Sequence, residues 1–327
     1  MKKQLLIAAV AATMTSAAIA DISITGGMKV NYKDTDQNGT LTNAISHETD
    51  LQITGKSGGT TVYIELNNDS ADGLAGSTDD GNGNFDVEDV WMKTSIAGVA
   101  VKAGTWNGSD SLVSKDSDRA LGKFEVSKTV SGVTVIADGS SDANKNITFK
   151  GDVAGVAVSY KIDDEGADEY KLSTTMNGVT VAYHNVDETD STANTGKSSI
   201  MVSGSYQGFD LAYAQAETDT SGVISGDSWF GDMAAVERGT ASGADGMAAG
   251  DDVSGFGLKT TVAGNTIQAK FITIDATTAA NDSDIVKLIA TRTLASGVTV
   301  EATYTDEDST TAAYDKEVLD LELAVKF

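Results

Sequence analysis

Val318-Leu319-Asp320-Leu321-Glu322-Leu323-Ala324-Val325-Lys326-Phe327 has a two-residue period that makes one face wholly apolar, and it ends on an aromatic residue. Leu319, Leu321, Leu323, Val325 and Phe327 fall on one face of a strand, and Asp320, Glu322, Ala324 and Lys326 on the other. Successive side chains of a strand point to opposite sides, so the pattern predicts a sheet with one apolar face. A single strand of this kind also suits a soluble sheet. Recurrence gives the pattern its weight, because the same ladder repeats up the chain as far as an export signal.

That signal has three parts. Met1-Lys2-Lys3-Gln4 is a charged leader, Leu5-Leu6-Ile7-Ala8-Ala9-Val10-Ala11-Ala12 a short apolar core, and Ala18-Ile19-Ala20 a small-residue cleavage site. Residues 1–20 are expected to be removed after Ala20, leaving residues 21–327 as one domain. No later run approaches the roughly 18 apolar residues that a spanning helix needs, which excludes a helical inner-membrane protein. The chain has no cysteine, so disulfide and thiolate chemistry are excluded. It has no proline either, as suits a chain built mostly of paired strands. The formal charge is −25, and loss of Lys2 and Lys3 makes it two units more negative. Nucleic acid is excluded as a partner, since its binding needs a basic surface.

From Asp21 the ladder divides into about 18 segments of roughly ten residues, the length of a tilted strand that crosses an outer membrane. Ile22, Ile24, Met28, Val30 and Tyr32 alternate with Ser23, Thr25, Gly27, Lys29 and Asn31, and later segments such as Val298, Val300, Ala302 and Tyr304 repeat the scheme. Short links such as Ala97-Gly98, Ser131-Gly132, Asn177-Gly178, Gln207-Gly208 and Ala263-Gly264 alternate with long acidic ones over 33–43, 68–84, 107–120, 138–144, 163–168, 187–197, 218–252, 275–282 and 306–315. Tight turns at one end and long loops at the other describe an up-and-down antiparallel β-barrel of 16–18 strands, with 18 the best count. It has a periplasmic rim of short turns and an outward rim of long extracellular loops. The lumen of such a barrel is too wide for side chains to fill. The stable arrangement therefore turns the apolar face to lipid and the polar face to water. Tyr32, Tyr160, Tyr183, Tyr213 and Tyr304 then sit at the loop ends of apolar faces as an outer girdle, and Tyr206, Phe209 and Phe327 at the turn ends as an inner one.

The first strand Asp21-Ile22-Ser23-Ile24-Thr25-Gly26-Gly27, the alternating links and the last strand ending in Phe327 resemble the general porins of Gram-negative outer membranes. The hairpin from Val90-Trp91-Met92-Lys93-Thr94 to Val101-Lys102-Ala103-Gly104 is similar to the fourth and fifth strands of that family. The resemblance implies a homotrimer in the outer membrane, in contact with lipid and lipopolysaccharide. It also implies delivery to the barrel-assembly machinery through the C-terminal strand, and a third loop folded in to narrow the pore. That loop, 107–120, offers Asp110, Lys115, Asp116, Asp118 and Arg119 as constriction residues. The facing wall would be Lys29, Lys102, Lys123, Lys150, Lys161 and Lys171, with Glu48, Asp50 and Glu125 among them. Fixed charges in a narrow wet pore set ion preference directly. The chain departs from the family in having Arg119, Arg238 and Arg292 as its only arginines.

The expected function is a passive channel for ions and small hydrophilic solutes that prefers cations. The alternatives are an acidic, calcium-dependent surface structural or adhesive protein, and a substrate-specific channel. No cofactor is expected. Asp80-Gly81-Asn82-Gly83-Asn84 with Asp86 and Glu88 resembles a calcium loop, but Phe85 and Trp91 stand where glycine and glutamate are required, which leaves a weak divalent cation at acidic loops. The 218–252 link, with Trp229, Phe230 and Met233, could enter the lumen, cap its mouth or lie in solvent. With no nucleophile elbow and only His47 and His184, catalysis is not expected. N-terminal sequencing of the protein from outer-membrane fractions is expected to begin Asp21-Ile22-Ser23. Retention of Met1 would remove the signal.

Overall fold

The structure, a computed structural model, describes residues 21–69, 85–106, 122–140, 145–163, 167–188, 195–218, 252–276, 282–310 and 315–327. Its strands are β1 (Asp21–Gln37), β2 (Thr40–Ser57), β3 (Thr60–Asp69), β4 (Asp86–Ile96), β5 (Val99–Thr105) and β6 (Lys123–Val130). Then come β7 (Val133–Gly139), β8 (Asn146–Val153), β9 (Val156–Asp163), β10 (Ala167–Met176), β11 (Val179–Glu188) and β12 (Thr195–Tyr206). The last six are β13 (Phe209–Thr218), β14 (Asp252–Val262), β15 (Asn265–Asp275), β16 (Ser283–Thr293), β17 (Val298–Ser309) and β18 (Lys316–Lys326). Each strand pairs antiparallel with its neighbours in sequence, and β1 also pairs with β18, so the 18-stranded sheet closes on itself. This is the expected barrel, at the higher strand count.

The tight links follow from local chemistry. Asn38, Ala97, Ser131, Ala154, Asn177, Gln207 and Ala263 each have φ between 51° and 54°, and each is followed by a glycine that also has positive φ. Two successive left-handed residues make the turn whose twist matches that of paired strands, and glycine takes the second place without a Cβ penalty. The 33–43 link was expected to be a long loop, and here the structure differs. β1 and β2 keep pairing out to Gln37 opposite Thr40, around Asn38-Gly39. The apolar alternation stops near Tyr32, but the backbone ladder does not, and Asn-Gly is itself a strong hairpin signal. The Asp36 carboxylate accepts the Gly39 N–H at 2.9 Å and finishes the turn. Short and long links therefore do not alternate strictly at this hairpin.

Closure depends on the two ends of the described chain. The Gly26 N–H donates to the Phe327 carbonyl at 2.8 Å, and the Phe327 N–H returns a bond to the Gly26 carbonyl at 2.9 Å. A Cβ on Gly26 would lie 2.6 Å from the Asp50 carbonyl oxygen and 2.8 Å from the Phe327 ring. The missing side chain is thus what seats the terminal ring.

Register assigns the faces. Directly opposed residues share a side, so Val30, Leu323 and Tyr32, Leu321 share one face, while Lys29, Ala324 and Asn31, Glu322 share the other. The first face is the convex one: Ile24 is 62% exposed and Leu323 54%, and Phe124, Phe149, Phe256 and Phe271 are exposed with them. An apolar outer belt with the backbone fully paired is stable only against lipid. Gly26→Val is expected to stop closure, and deletion of Phe327 to weaken it by about 2 kcal/mol for two lost backbone bonds. The check is the fraction that migrates as folded barrel in unheated gel samples; an unchanged fraction in both variants would refute the seating of Phe327 on Gly26.

Candidate functional site: the inner wall of the barrel

The same register sorts the inward side chains into sectors. On β4 to β10 the inner wall carries lysines: Lys93 faces Lys102, Lys123 faces Gly104, Lys150 faces Thr134 and Ser159, Lys161 faces Thr148, and Lys171 faces Ser159. Carboxylates are interspersed with them: Glu125 lies opposite both Lys102 and Asp138, and Asp152 and Asp163 share the inward parity of Lys150 and Lys161. On β17, β18, β1, β2 and β3 the inward residues include Glu301, Glu322, Asp320, Glu48, Asp50 and Glu65. Glu301 is directly opposite Glu322, while Lys29 forms an ion pair with Glu48 and lies between the two acidic strands. Glu65 is fixed by two donors, the Gln52 amide at 2.8 Å and the Tyr63 hydroxyl at 3.1 Å. A recess of about 160 Å³ opens between β16, β17, β18 and β1, lined by Lys33, Lys287, Glu301, Asp320 and Glu322 with the Thr303 and Thr305 hydroxyls. The structure thus places all nine proposed wall residues on the inner face, in two chemically different sectors.

Two features of this wall were not anticipated. The first is a carboxylate hub on β10. Glu169 reaches Lys171 at 2.6 Å, His184 Nε2 at 2.7 Å and Lys161 at 3.7 Å, with Glu169 only 8% and His184 7% exposed. Register explains it, since Lys161 and Val186 flank Glu169 while His184 flanks Lys171. The second is an apolar sector on β11 to β16, where the inward Val186, Ala212, Ala214, Ala216, Val253, Ile272, Ile274 and Ile285 form one buried cluster. Ala214 and Ile274 are 0% exposed. The expectation of a polar inner face around water fails in this sector. Small and branched residues stand at the inward positions, and the apolar outward positions masked them in the alternation.

Asp110, Lys115, Asp116, Asp118 and Arg119 lie outside the described residues, as do the 80–84 acidic run and 219–251. Among the described residues no group of three or more His, Asp or Glu side chains could hold a metal ion. Tyr32, Tyr160, Tyr183, Tyr213 and Tyr304 all fall on the outer face, and so do Tyr206, Phe209 and Phe327. Other members of the outer row were missed: Tyr170 and Phe149 oppose Tyr160, Phe256 opposes Tyr213, and Phe271 opposes Phe256. Towards the loop rim from this row the outer face is acidic, with Asp168 opposite Asp187 and Asp284 opposite Asp308. The Tyr160 hydroxyl donates to Asp168 at 2.6 Å, joining ring to collar. Tyr63, Trp91 and Trp106 were also missed. Trp91 shares its parity with Lys93, the one sequence signal that would have turned it inward.

A profile of the Gram-negative porin family matches residues 7–312, and the chain belongs to that family. No curated protein matches it. Among solved structures it is similar to OccK9 (OpdG) of Pseudomonas aeruginosa, with TM-score 0.66, 13% identity, and coverage of 94% of this chain and 98% of that one. It is also similar to OccK2 (OpdF) of Pseudomonas aeruginosa, with TM-score 0.64, 12% identity, and 94% and 98% coverage. A BenF-like porin from Pseudomonas fluorescens Pf-5 gives TM-score 0.64, 11% identity, and the same coverage. At this identity the likeness is one of fold.

Glu169→Gln is expected to leave Lys161 and Lys171 without their shared counter-charge, destabilising the barrel by about 3 kcal/mol and moving ion selectivity towards anions. Lys171→Met in the same background recovers part of both. Urea midpoints and reversal potentials measure the two effects, and a Glu169→Gln protein indistinguishable from the parent in both would remove the hub from the wall's electrostatics.

Proposed function

We propose that this member of the Gram-negative porin family is a general diffusion pore for ions and small hydrophilic solutes, with a modest preference for cations. The channel itself and its place in the outer membrane follow from the family and the barrel, and the activity is not enzymatic. One observation carries the finer reading: in a closed 18-stranded sheet, charged side chains of both signs line the concave face while the convex face is apolar. The lysines on β4 to β10 alternate with carboxylates, and beside them the inward groups of β17 to β3 are mainly acidic. The formal charge of −25 tips the balance towards cations. Salt screens charges beyond about 8–10 Å, so rim acids act weakly and wall charges dominate.

Several further assignments belong to this reading. The working protein is residues 21–327 as one domain, cleaved after Ala20 and assembled as a homotrimer, with its last strand read by the barrel-assembly machinery. Asp110, Lys115, Asp116, Asp118 and Arg119 narrow the lumen against the wall of Lys29, Glu48, Asp50, Lys102, Lys123, Glu125, Lys150, Lys161 and Lys171. The tyrosine rows sit at the lipid interfaces. The directly opposed carboxylates of the outer collar repel one another, which favours lipopolysaccharide with weakly held divalent cations at that level. The adhesin alternative is set aside by barrel closure and family membership.

Purified detergent-extracted protein in a planar bilayer is expected to give ohmic steps that close in threes. Under a salt gradient, cations should pass about threefold better than anions. A reversal potential of the opposite sign would overturn the cation preference. Single closures would overturn the trimer, and absence of conductance would overturn the pore.

A further inference from the structure

The inner wall carries a row of rings and ammonium groups that a simple diffusion pore does not require. Tyr63 of β3 and Trp91 of β4 are opposite in register and stack, with centroids 5.0 Å apart and planes 19° apart. On the other side, the residue opposite Trp91 is Gly104. Its φ is +138°, and a Cβ there would come within 2.0 Å of the Val90 carbonyl oxygen, so this place admits no side chain. Lys102 fills the space beside the indole. Its Nζ lies 4.7 Å from the Trp91 centroid and 4.0 Å from that of Trp106, and Lys123 Nζ lies 5.9 Å from the same Trp106 ring. The sequence along the wall is phenol, indole, ammonium, indole, ammonium.

Lys93 is exposed and directly opposite Lys102, so three ammonium groups flank the rings. Glu125 and Asp89 are the carboxylates whose charge reaches Lys102. Tyr63, Trp91, Lys102 and Trp106 are all half-buried, which leaves part of each surface to the lumen. Rings in contact with water carry an apolar hydration cost that Ser or Thr at the same positions would not. The indoles instead hold the Lys102 ammonium between two π faces, where a cation is attracted.

We propose that this row is an adsorption site for organic anions that carry a flat ring. The ring lies against the open surface of Tyr63, Trp91 and Trp106, and the anionic group pairs with Lys102, with Lys93 and Lys123 adding attraction. A ringless anion meets only hydrated ammonium groups, and a neutral ring meets only stacking; a solute with both features gains both. Ring-bearing cations are turned away by the ammonium groups of Lys93, Lys102 and Lys123. In a lumen whose acidic surroundings deplete anions, such a site raises their occupancy and hence their flux. The inference rests on the channel reading for its effect on transport, while binding stands apart from it.

Benzenesulfonate is the probe, with methanesulfonate and benzamide as controls. Two of the three tryptophans are in the row, so intrinsic fluorescence of the purified protein in detergent reads binding whether or not current flows. Benzenesulfonate is expected to bind saturably, about tenfold or more tighter than either control. Trp91→Leu and Trp106→Leu should bring it to the methanesulfonate level, Lys102→Met to the benzamide level, and Trp106→Phe should keep most of the affinity. Trp106→Phe and Lys102→Arg keep the test available if the larger truncations prevent folding. Equal affinity for benzenesulfonate and methanesulfonate in the parent would overturn the site, as would Trp91→Leu, Trp106→Leu or Lys102→Met proteins that keep the parent's affinities. Bilayer current separates the two readings: a protein that binds the probe but never conducts upholds the site and sinks the channel.

Discussion

In hydrocarbon an unpaired peptide N–H or C=O has no water to turn to, and this constraint organises the whole molecule. A sheet meets it only by having no edge. The first and last strands therefore have to find each other across the full length of the chain, and the pairing of β1 with β18 is what turns 18 marginal strands into a stable object. Gly26 and Phe327 finish that seam, one by lacking a side chain and the other by supplying the ring that lies on it. Once closure and register are set, parity decides which side of the barrel every other side chain faces.

Parity has an electrostatic consequence. Each inward position is also a position in the cross-strand ladder, so charges that are far apart in sequence become neighbours around the ring. The lysines of β4 to β10 collect in one sector because their strands are adjacent, and the carboxylates of β17 to β3 collect in another because the seam joins the two ends of the chain. Lys29 and Glu48 form an ion pair inside the acidic sector, while Glu169 binds Lys161, Lys171 and His184 together inside the basic one. Each sector thus carries a partial counterweight of the opposite sign, which holds its side chains in place and softens the field between the walls.

The barrel was legible from the sequence because its signal is periodic and repeated. Alternation in β1 and β18, the glycine-terminated turns and the acidic links each point to the same architecture, and 18 segments became 18 strands. The seam was half legible: Phe327 drew attention, but Gly26 read as an ordinary glycine of the first strand. The wall was less legible, since alternation marks apolar positions and says little about what faces them. Ala212, Ala214 and Ala216 alternate with Leu211 and Tyr213 and belong to an apolar sector that this alternation does not announce. The Glu169 hub needs three strands in register, and the Tyr63, Trp91 and Lys102 stack needs Gly104 to leave a space. No local pattern encodes those meetings. The 33–43 link misled for the opposite reason, because a polar run looks like a loop even where the backbone ladder continues.

The seven hairpin turns built, among the described residues, from a left-handed residue followed by glycine do without proline, and the whole sequence contains none. Without proline no peptide bond in the protein waits on an isomerisation of the order of 10–100 s, and without cysteine no step waits on thiol exchange. Between export and insertion the chain calls on neither a prolyl isomerase nor a disulfide oxidant. Its folding time is left to a search problem, the meeting of two strands separated by almost the entire polypeptide. The seam that removes the last edge is therefore also the step that sets the clock, and until it forms the open barrel presents two unpaired strands to whatever lies beside it.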